Sequence, residues 1–162
     1  MSSIYIANIV ECSVVDGVGL RDVIYCSYCT HGCKGCHNEK YWKLESGTKT
    51  DVHDIYDKLN SICNVSYVGG EPMLQADGYI ELSRLIKQNT NKTIWLWSGF
   101  TYEEIIRDEK MSELLSYCDV LIDGRFEISN FDRNKKWAGS SNQRVIDLVK
   151  TRSVKDIVLY DE

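Results

Sequence analysis

The sequence predicts an α/β protein whose mostly parallel sheet forms a partial, open TIM-like β/α barrel. Short β-rich segments alternate with segments whose apolar residues recur at helical spacing, which is typical of parallel strands joined by right-handed crossovers. The segments that carry chemically reactive residues each follow a predicted strand, where α/β folds place their active sites. A complete eight-fold barrel needs about 250 residues. With 162 residues, the chain can supply only an open barrel, and we expect a single domain over residues 1–162.

The individual elements are predicted from the spacing of apolar residues. Asp51 suits the N-cap of the first helix. The predicted helices span roughly 52–62, 79–86 and 102–117. The predicted strands are 4–10 (a strand or a strap across the core), 22–28, 65–68, 93–97 and 119–123, with 145–149 and 157–160 as further candidates. Residues 39–50 are polar and are expected to be irregular.

Composition and charge narrow the class of protein. The chain is 43% hydrophobic and 27% charged, which is typical of a soluble globular domain. Its formal charge of −5 disfavours a nucleic-acid partner. It contains neither an 18-residue apolar run nor a secretory signal, so no membrane association is expected. Seven cysteines, an odd number, then indicate a reducing cytoplasm rather than a disulfide scaffold.

Four of the seven cysteines, Cys26, Cys29, Cys33 and Cys36, fall within eleven residues. Thiolates this close repel one another unless a cation holds them, so the stretch predicts a metal or metal–sulfur site. All four could form a tetrahedral zinc site, although structural zinc sites usually separate their cysteine pairs by a dozen or more residues. Cys26 instead continues a strand-like segment and is expected in the core. The remaining three thiolates suit a four-iron cluster with one iron left open to a substrate.

Further motifs follow the cysteines and resemble a known superfamily. The pattern C-x3-C-x2-C, followed by Gly69-Gly70-Glu71-Pro72, resembles the radical S-adenosylmethionine superfamily. Over roughly residues 11–146, additional stretches resemble the activating proteins of anaerobic (class III) ribonucleotide reductases. These stretches are Asp16-Gly17-x-Gly19-x-Arg21, Cys36-x-Asn38 with Trp42, and residues 94–100, 122–124 and 137–144.

The resemblance implies a radical S-adenosylmethionine fold and its chemistry. Cys29, Cys33 and Cys36 would hold a [4Fe-4S] cluster whose open iron binds S-adenosylmethionine. Reductive cleavage would give methionine and a 5′-deoxyadenosyl radical, which would take a hydrogen atom from a glycine of the reductase and leave a glycyl radical. The implied partners are the large subunit of an anaerobic ribonucleotide reductase and a small electron donor of the flavodoxin type.

The resemblance also implies which residues border the cofactor. The set comprises Gly35, Cys36 and His37 near the adenine, Gly69, Gly70 and Glu71 near the methionyl ammonium group, and Ser98, Asp123 and Arg125 farther along the chain. His37 directly follows a ligand and is placed as a pocket wall rather than as a zinc ligand. Asp123 and Arg125 would border the methionine carboxylate or a bound cation, or would pair with each other on the surface.

Two other functions remain open from the sequence. A radical S-adenosylmethionine enzyme acting on a small molecule would share the cluster, but no further motif indicates a substrate pocket. A non-catalytic zinc-binding interaction module would use all four clustered cysteines. Reconstitution with iron and sulfide without air separates these functions, because a cluster protein turns brown and the zinc module stays colourless.

Overall fold

A single seven-stranded sheet organises residues 2–161, the part of the chain that the computed structural model describes. Its strands are β1 (Ser3–Ser13), β2 (Arg21–Cys26), β3 (Thr48–Asp51), β4 (Asn64–Gly69), β5 (Ile94–Trp97), β6 (Val120–Asp123) and β7 (Arg144–Asp147). The strand order is β3-β1-β2-β4-β5-β6-β7. The four central strands are parallel, and antiparallel strands flank them on both sides. This arrangement confirms the predicted open α/β sheet with a parallel centre.

Five helices connect or cover the strands. They are α1 (Val52–Asp57), α2 (Ala76–Asn89), α3 (Tyr102–Ile105), α4 (Glu109–Leu115) and α5 (Leu148–Val154), and short 3-10 helices span Glu39–Tyr41, Leu44–Ser46, Pro72–Gln75 and Ile128–Asn130. Asp51 caps α1 as predicted, because its side chain accepts a hydrogen bond from His53 N at 2.8 Å. None of the described helices combines the length and hydropathy needed to cross a membrane.

The register of the parallel strands brings their carboxyl ends together. Cys26 at the end of β2 is paired with Gly69 at the end of β4. Trp97 at the end of β5 is paired with Ile122 near the end of β6. The loops that follow these four strands therefore meet at one edge of the sheet, called here the carboxyl edge, where parallel sheets bind their ligands.

The two faces of the sheet are packed differently. One face buries a large apolar core against the helices, centred on residues such as Ile24, Tyr67 and Leu96, all of which are fully buried. The other face carries a smaller aromatic cluster in which the Trp95 ring lies 5.5 Å from that of Trp137. The core against the helices fixes the strands, and the aromatic cluster fixes the chain segment that follows β6.

Several predicted elements differ from those of the structure. The first helix ends at Asp57 rather than near residue 62, and Ile62 is exposed. The predicted helix over 102–117 is two helices, because α3 ends at Ile105 and Asp108 then caps α4 by accepting from Met111 N. The irregular segment 39–50 contains two 3-10 helices and most of β3. The candidate strand 145–149 is β7 only as far as Asp147, because α5 begins at Leu148. The candidate strand 157–160 is reduced to a single bridge between Leu159 and Ile146.

Candidate functional site

The cysteine-rich loop, residues 27–42, is called here the cluster loop and is closed at its base by backbone hydrogen bonds. Tyr28 N donates to Tyr41 O over 2.8 Å, and Cys29 N donates to Trp42 O over 3.0 Å. Tyr28 adopts a φ of 80°, the left-handed conformation that a side chain makes costly. The loop therefore leaves β2 through a strained but doubly anchored turn that fixes where Cys29 lies.

The four clustered cysteines occupy two environments. Cys26 is fully buried in the core, whereas Cys29, Cys33 and Cys36 are half-buried on the cluster loop. Burial raises the pKa of Cys26 to about 12 and that of Cys29 to about 11, and it also raises the pKa of Cys33. Thiols in such surroundings bind a metal only by releasing their protons, so a cation must favour the thiolates.

The donor set of the cluster loop fits a cluster better than a single zinc ion. Among residues 2–161, one trio of metal-ligating side chains has all its ligand atoms within 4.8 Å of one another, and it lies outside this loop. The three thiols of the cluster loop therefore do not all lie that close together. Tetrahedral bonds of about 2.3 Å would bring zinc-bound sulfurs to about 3.8 Å from one another. Cys36 Sγ also accepts a hydrogen bond from Asn38 N at 3.4 Å. Three spread thiols and a buried fourth cysteine suit a four-iron cluster with three protein ligands.

Glu71 lies at the carboxyl edge and accepts hydrogen bonds from its own turn and from two other segments. Its carboxylate accepts hydrogen bonds from Ser98 Oγ at 2.9 Å, Gly99 N at 2.7 Å and Met73 N at 2.9 Å. His31 Nε2 lies 2.7 Å from the same carboxylate. Glu71 is 1% exposed, so its charge is stabilised by these donors rather than by water. The carboxylate thus joins the loops after β4 and β5 to the cluster loop.

His31 is a site residue that the sequence analysis missed. Its side chain is 5% exposed, and its ring packs edge-on against Phe100 at 4.6 Å. A Cβ on Gly99 would lie 2.5 Å from the His31 ring, so only glycine admits this contact. The available signal was its position between Cys29 and Cys33, where the other two residues are threonine and glycine.

The glycines of the Gly-Gly-Glu-Pro turn approach protein backbone. Gly69 has a φ of 108°, and a Cβ there would collide with the backbone of Cys26. Gly70 N donates to Cys26 O at 2.7 Å, and a Cβ on Gly70 would collide with Tyr28 O. The two glycines therefore let the turn after β4 pack directly on the start of the cluster loop. This contact sets the position of Glu71 relative to the cysteines.

Asp123 and Arg125 do not pair with each other, so that expectation was wrong. Asp123 is 1% exposed and binds Arg144, whose Nε and Nη2 donate at 3.0 and 2.5 Å. Arg125 lies instead 3.6 Å from Glu104 and 6.0 Å from the Phe100 ring. The two carboxylates at Asp123 and Glu104 thus hold different arginines.

The 137–144 stretch is joined by hydrogen bonds to the end of β5 and to the loop after β6. Gln143 Nε2 donates to Gly124 O at 3.0 Å, next to the Asp123–Arg144 pair. Trp97 Nε1 donates to Trp137 O at 2.7 Å, which ties the stretch to β5. The stretch therefore fixes the loop that follows β6 at the carboxyl edge.

Gly35 and His37 bring the cluster loop against the segment that follows β6. Gly35 has a φ of 79°, and a Cβ there would lie 2.6 Å from Ile128 Cδ1. The His37 ring lies 5.9 Å from that of Phe126. The candidate site residues consequently gather around the cluster loop from β4, β5 and β6, while the Asp123 carboxylate is committed to Arg144.

Arg21, from the motif before the cluster loop, lies at the opposite end of the strands. Its buried guanidinium donates to Ser66 Oγ at 2.8 Å and to the carbonyls of Val18, Val65 and Thr93. Burial lowers the pKa of Arg21 to about 10, so it is charged at neutral pH. The side chain joins the amino ends of the central strands and takes no part in the candidate site.

Comparison with known proteins bears on the cysteine motif first. A family model described as a 4Fe-4S single cluster domain matches residues 15–146. The chain is also similar to QueE from Escherichia coli, whose crystal structure superposes with a TM-score of 0.53 over 75% of this chain and 71% of that chain. The sequence identity there is 16%, so the likeness concerns the fold.

Relatives with assigned names align over four fifths or more of this chain. The anaerobic ribonucleoside-triphosphate reductase-activating protein of Vibrio cholerae is 36% identical over 140 residues, covering 80% of this chain and 89% of that protein. The protein of the same name from Enterobacteria phage T4 is 36% identical over 147 residues, covering 85% and 90%. That of Escherichia coli K12 is 31% identical over 143 residues, covering 82% and 91%. By this extent of similarity, the chain belongs to the family of anaerobic ribonucleoside-triphosphate reductase-activating proteins.

Proposed function

We propose that this protein activates an anaerobic ribonucleotide reductase by radical S-adenosylmethionine chemistry. The observation that carries the proposal is the cluster loop, which presents three half-buried thiols at the carboxyl edge while Cys26 is buried in the core. When bound, a [4Fe-4S] cluster supplies the electron that cleaves S-adenosylmethionine, and this cleavage makes hydrogen abstraction from a reductase glycine possible.

The cluster loop supplies the ligands in this proposal. Cys29, Cys33 and Cys36 would hold the cluster through three of its irons, and the remaining iron would be free to bind S-adenosylmethionine. We expect backbone groups of Gly35 and His37 to border the adenine. Both residues lie on the cluster loop and face the segment after β6.

The turn after β4 recognises the methionyl ammonium group. Gly70 and Glu71 are held beside the cluster loop by backbone hydrogen bonds to it and to the end of β2. Ser98 donates to the Glu71 carboxylate and fixes its orientation. Because that carboxylate already accepts from four residues, we expect His31 to release it when the ammonium group binds.

The loop after β6 completes the pocket. Burial raises the pKa of the Cys33 thiol, and the positive charge of Arg125 offsets part of that rise. We expect the Arg125 guanidinium to meet the methionine carboxylate. Asp123 acts through Arg144, by fixing the turn at Gly124 that precedes Arg125. Asp123 is therefore proposed as a positioning residue.

The macromolecular partners follow from the proposed reaction. The open sheet gives a polypeptide loop a wider entrance than a closed barrel would. Tyr28, Ile128 and Phe131 are exposed around the cluster loop and offer apolar surface to the large subunit of the reductase. A flavodoxin-type protein is proposed as the electron donor.

The test is anaerobic incubation of the reconstituted protein with S-adenosylmethionine, a reductant and a class III reductase. We expect a glycyl radical signal in the electron paramagnetic resonance spectrum of the reductase and at least one methionine formed for each glycyl radical. A matched incubation with Cys33→Ala should give neither product. Cleavage without any radical on the reductase would instead favour a small-molecule substrate.

A further inference from the structure

Two cysteines outside the cluster loop are in direct contact. Cys12 Sγ and Cys63 Sγ lie 2.6 Å apart, although the residues are separated by 51 positions in the chain. Cys12 is half-buried in β1, and Cys63 is buried just before β4. The proposed function uses neither residue.

The backbone around Cys12 is arranged to direct its side chain at Cys63. Cys12 has a φ of 52°, and the β1–β2 register shifts between Val10 and Ser13. An irregularity of this kind re-aims one side chain, here through a left-handed backbone conformation that costs a non-glycine residue free energy. The conformation is held by a hydrogen bond of 3.1 Å from Cys12 N to Asp22 Oδ1.

A metal ion is the other use that the contact suggests. Cys12, Asp22 and Cys63 are the trio, among the described residues, whose ligand atoms lie within 4.8 Å of one another. The Asp22 carboxylate, however, already accepts from Cys12 N and from the backbone and side chain of Asn60. Lys92 adds a positive charge by donating to Cys63 O. Two sulfurs in contact are also closer than the roughly 3.8 Å that one tetrahedral zinc ion requires.

We propose that Cys12 and Cys63 form a reversible disulfide by exchange with a low-molecular-weight disulfide such as oxidised glutathione. The thiolate of the more accessible Cys12 attacks one sulfur of glutathione disulfide, forms a mixed disulfide and releases one glutathione thiolate. The Cys63 sulfur then attacks the Cys12 sulfur and releases the second glutathione. The two protein thiols lose two electrons and two protons, and one glutathione disulfide becomes two glutathione thiols.

The position of the pair separates it from the cluster chemistry. Cys63 precedes the amino end of β4, where Asn64 pairs with Arg21, whereas the cluster loop begins beyond the Cys26–Gly69 pair at the other end. Five residues of strand place the two ends about 17 Å apart. The bond would nevertheless close a chain loop that contains the whole cluster loop. It would therefore stabilise the fold when the cluster is absent, because it restricts the unfolded chain.

The test exposes the full-length protein to oxidised glutathione without air, before iodoacetamide alkylation and peptide mapping. We expect a Cys12–Cys63 linked peptide in more than half of the chains and full reversal by dithiothreitol. Cys118, which is fully buried, should remain a free thiol and serves as the internal control. The cluster-free variant with Cys29, Cys33 and Cys36 replaced by alanine should form the same link, which excludes scrambling through the cluster loop.

Stability gives a second measurement. In the cluster-free variant, oxidation should raise the melting temperature by roughly 5–10 °C. Adding Cys12→Ser or Cys63→Ser should abolish the increase and leave the reduced protein folded by circular dichroism. The proposal is overturned if both cysteines stay alkylatable, if Cys12 stops at a mixed disulfide with glutathione, or if the variant binds one zinc per chain that Cys12→Ser removes.

Discussion

At the scale of single residues, burial distinguishes Cys26, a core thiol, from Cys29, a proposed cluster ligand. Cys26 is fully buried and Cys29 is half-buried, although they are only three positions apart. Replacing Cys29 by alanine should abolish the cluster after reconstitution. Cys26→Ala should keep full iron content and lose about 1 kcal/mol of unfolding free energy, because it removes one buried sulfur. Iron and sulfide analysis with the visible spectrum checks both variants, and loss of iron from Cys26→Ala would contradict the assignment.

His31 leads to a second prediction at this scale. Its contact with Glu71 joins the cluster loop to the turn after β4. His31→Ala should lower the iron content after reconstitution several-fold and broaden the electron paramagnetic resonance signal of the reduced cluster, because the loop loses its buried anchor. His31→Gln retains a donor and should recover part of both. His53→Ala, at an exposed histidine beside Glu81, is the matched control and should leave both measurements unchanged.

Among these residues, the sequence predicted which cysteines lie on a loop and which lies in the core, but not what surrounds them. The four clustered cysteines are local in sequence, and the strand-like segment that contains Cys26 separated it from Cys29, Cys33 and Cys36. The Asp123–Arg144 pair was missed because Gly124, with a φ of 97°, turns the chain away before Arg125. Contacts between distant segments depend on such backbone turns, which composition does not reveal.

At the scale of elements, the Asp123–Arg144 pair joins β6 to β7 across an antiparallel register. Arg144→Met would leave the Asp123 carboxylate buried with only Tyr102 N as a donor. We expect a loss of about 2 kcal/mol, below the usual cost of breaking a buried pair because Arg144 is partly exposed. Arg125→Met removes an exposed, looser pair and should cost less than about 1 kcal/mol. Urea unfolding of the two variants compares them, and equal losses would contradict the argument.

The elements were predicted where apolar residues recur at regular spacing. They were missed where contacts with other segments determine whether a strand or helix forms. The alternation of apolar strands and amphipathic helices gave the parallel centre of the sheet, including β5 and β6. The strand β3 has the sequence TKTD, which is polar, and it forms because β1 offers it an open edge. The helix over 102–117 breaks at Asp108, whose capping bond competes with helix continuation.

At the scale of the whole molecule, the two ends of the sheet have different tasks. The carboxyl edge gathers the cluster loop, Glu71 and the loop after β6. The amino ends are held by buried Arg21 and by the contact between Cys12 and Cys63. The strained cluster loop therefore follows strands whose opposite ends are held by contacts outside the candidate site. The same division predicts that the cluster-free chain keeps its fold.

The buried thiols of that cluster-free chain should make its stability depend on alkaline pH. Burial raises the pKa of Cys118 well above its ordinary value of 9.0. The unfolded chain therefore releases the Cys118 proton near pH 9 while the folded chain retains it, so stability is full below pH 9 and falls as the pH rises. Between pH 8 and pH 10 this one thiol should cost about 1.4 kcal/mol of unfolding free energy.

Urea unfolding of the reduced, cluster-free protein at the two pH values measures this loss. Cys118→Ala should reduce the difference between the two pH values by about the same 1.4 kcal/mol, whatever it costs in packing. Leu115→Ala is the matched control, because it removes a buried side chain that does not titrate. It should lower stability equally at pH 8 and pH 10. If Cys118→Ala behaves like Leu115→Ala, the folded chain does not hold the Cys118 proton, and burial of this thiol is not the source of the alkaline loss.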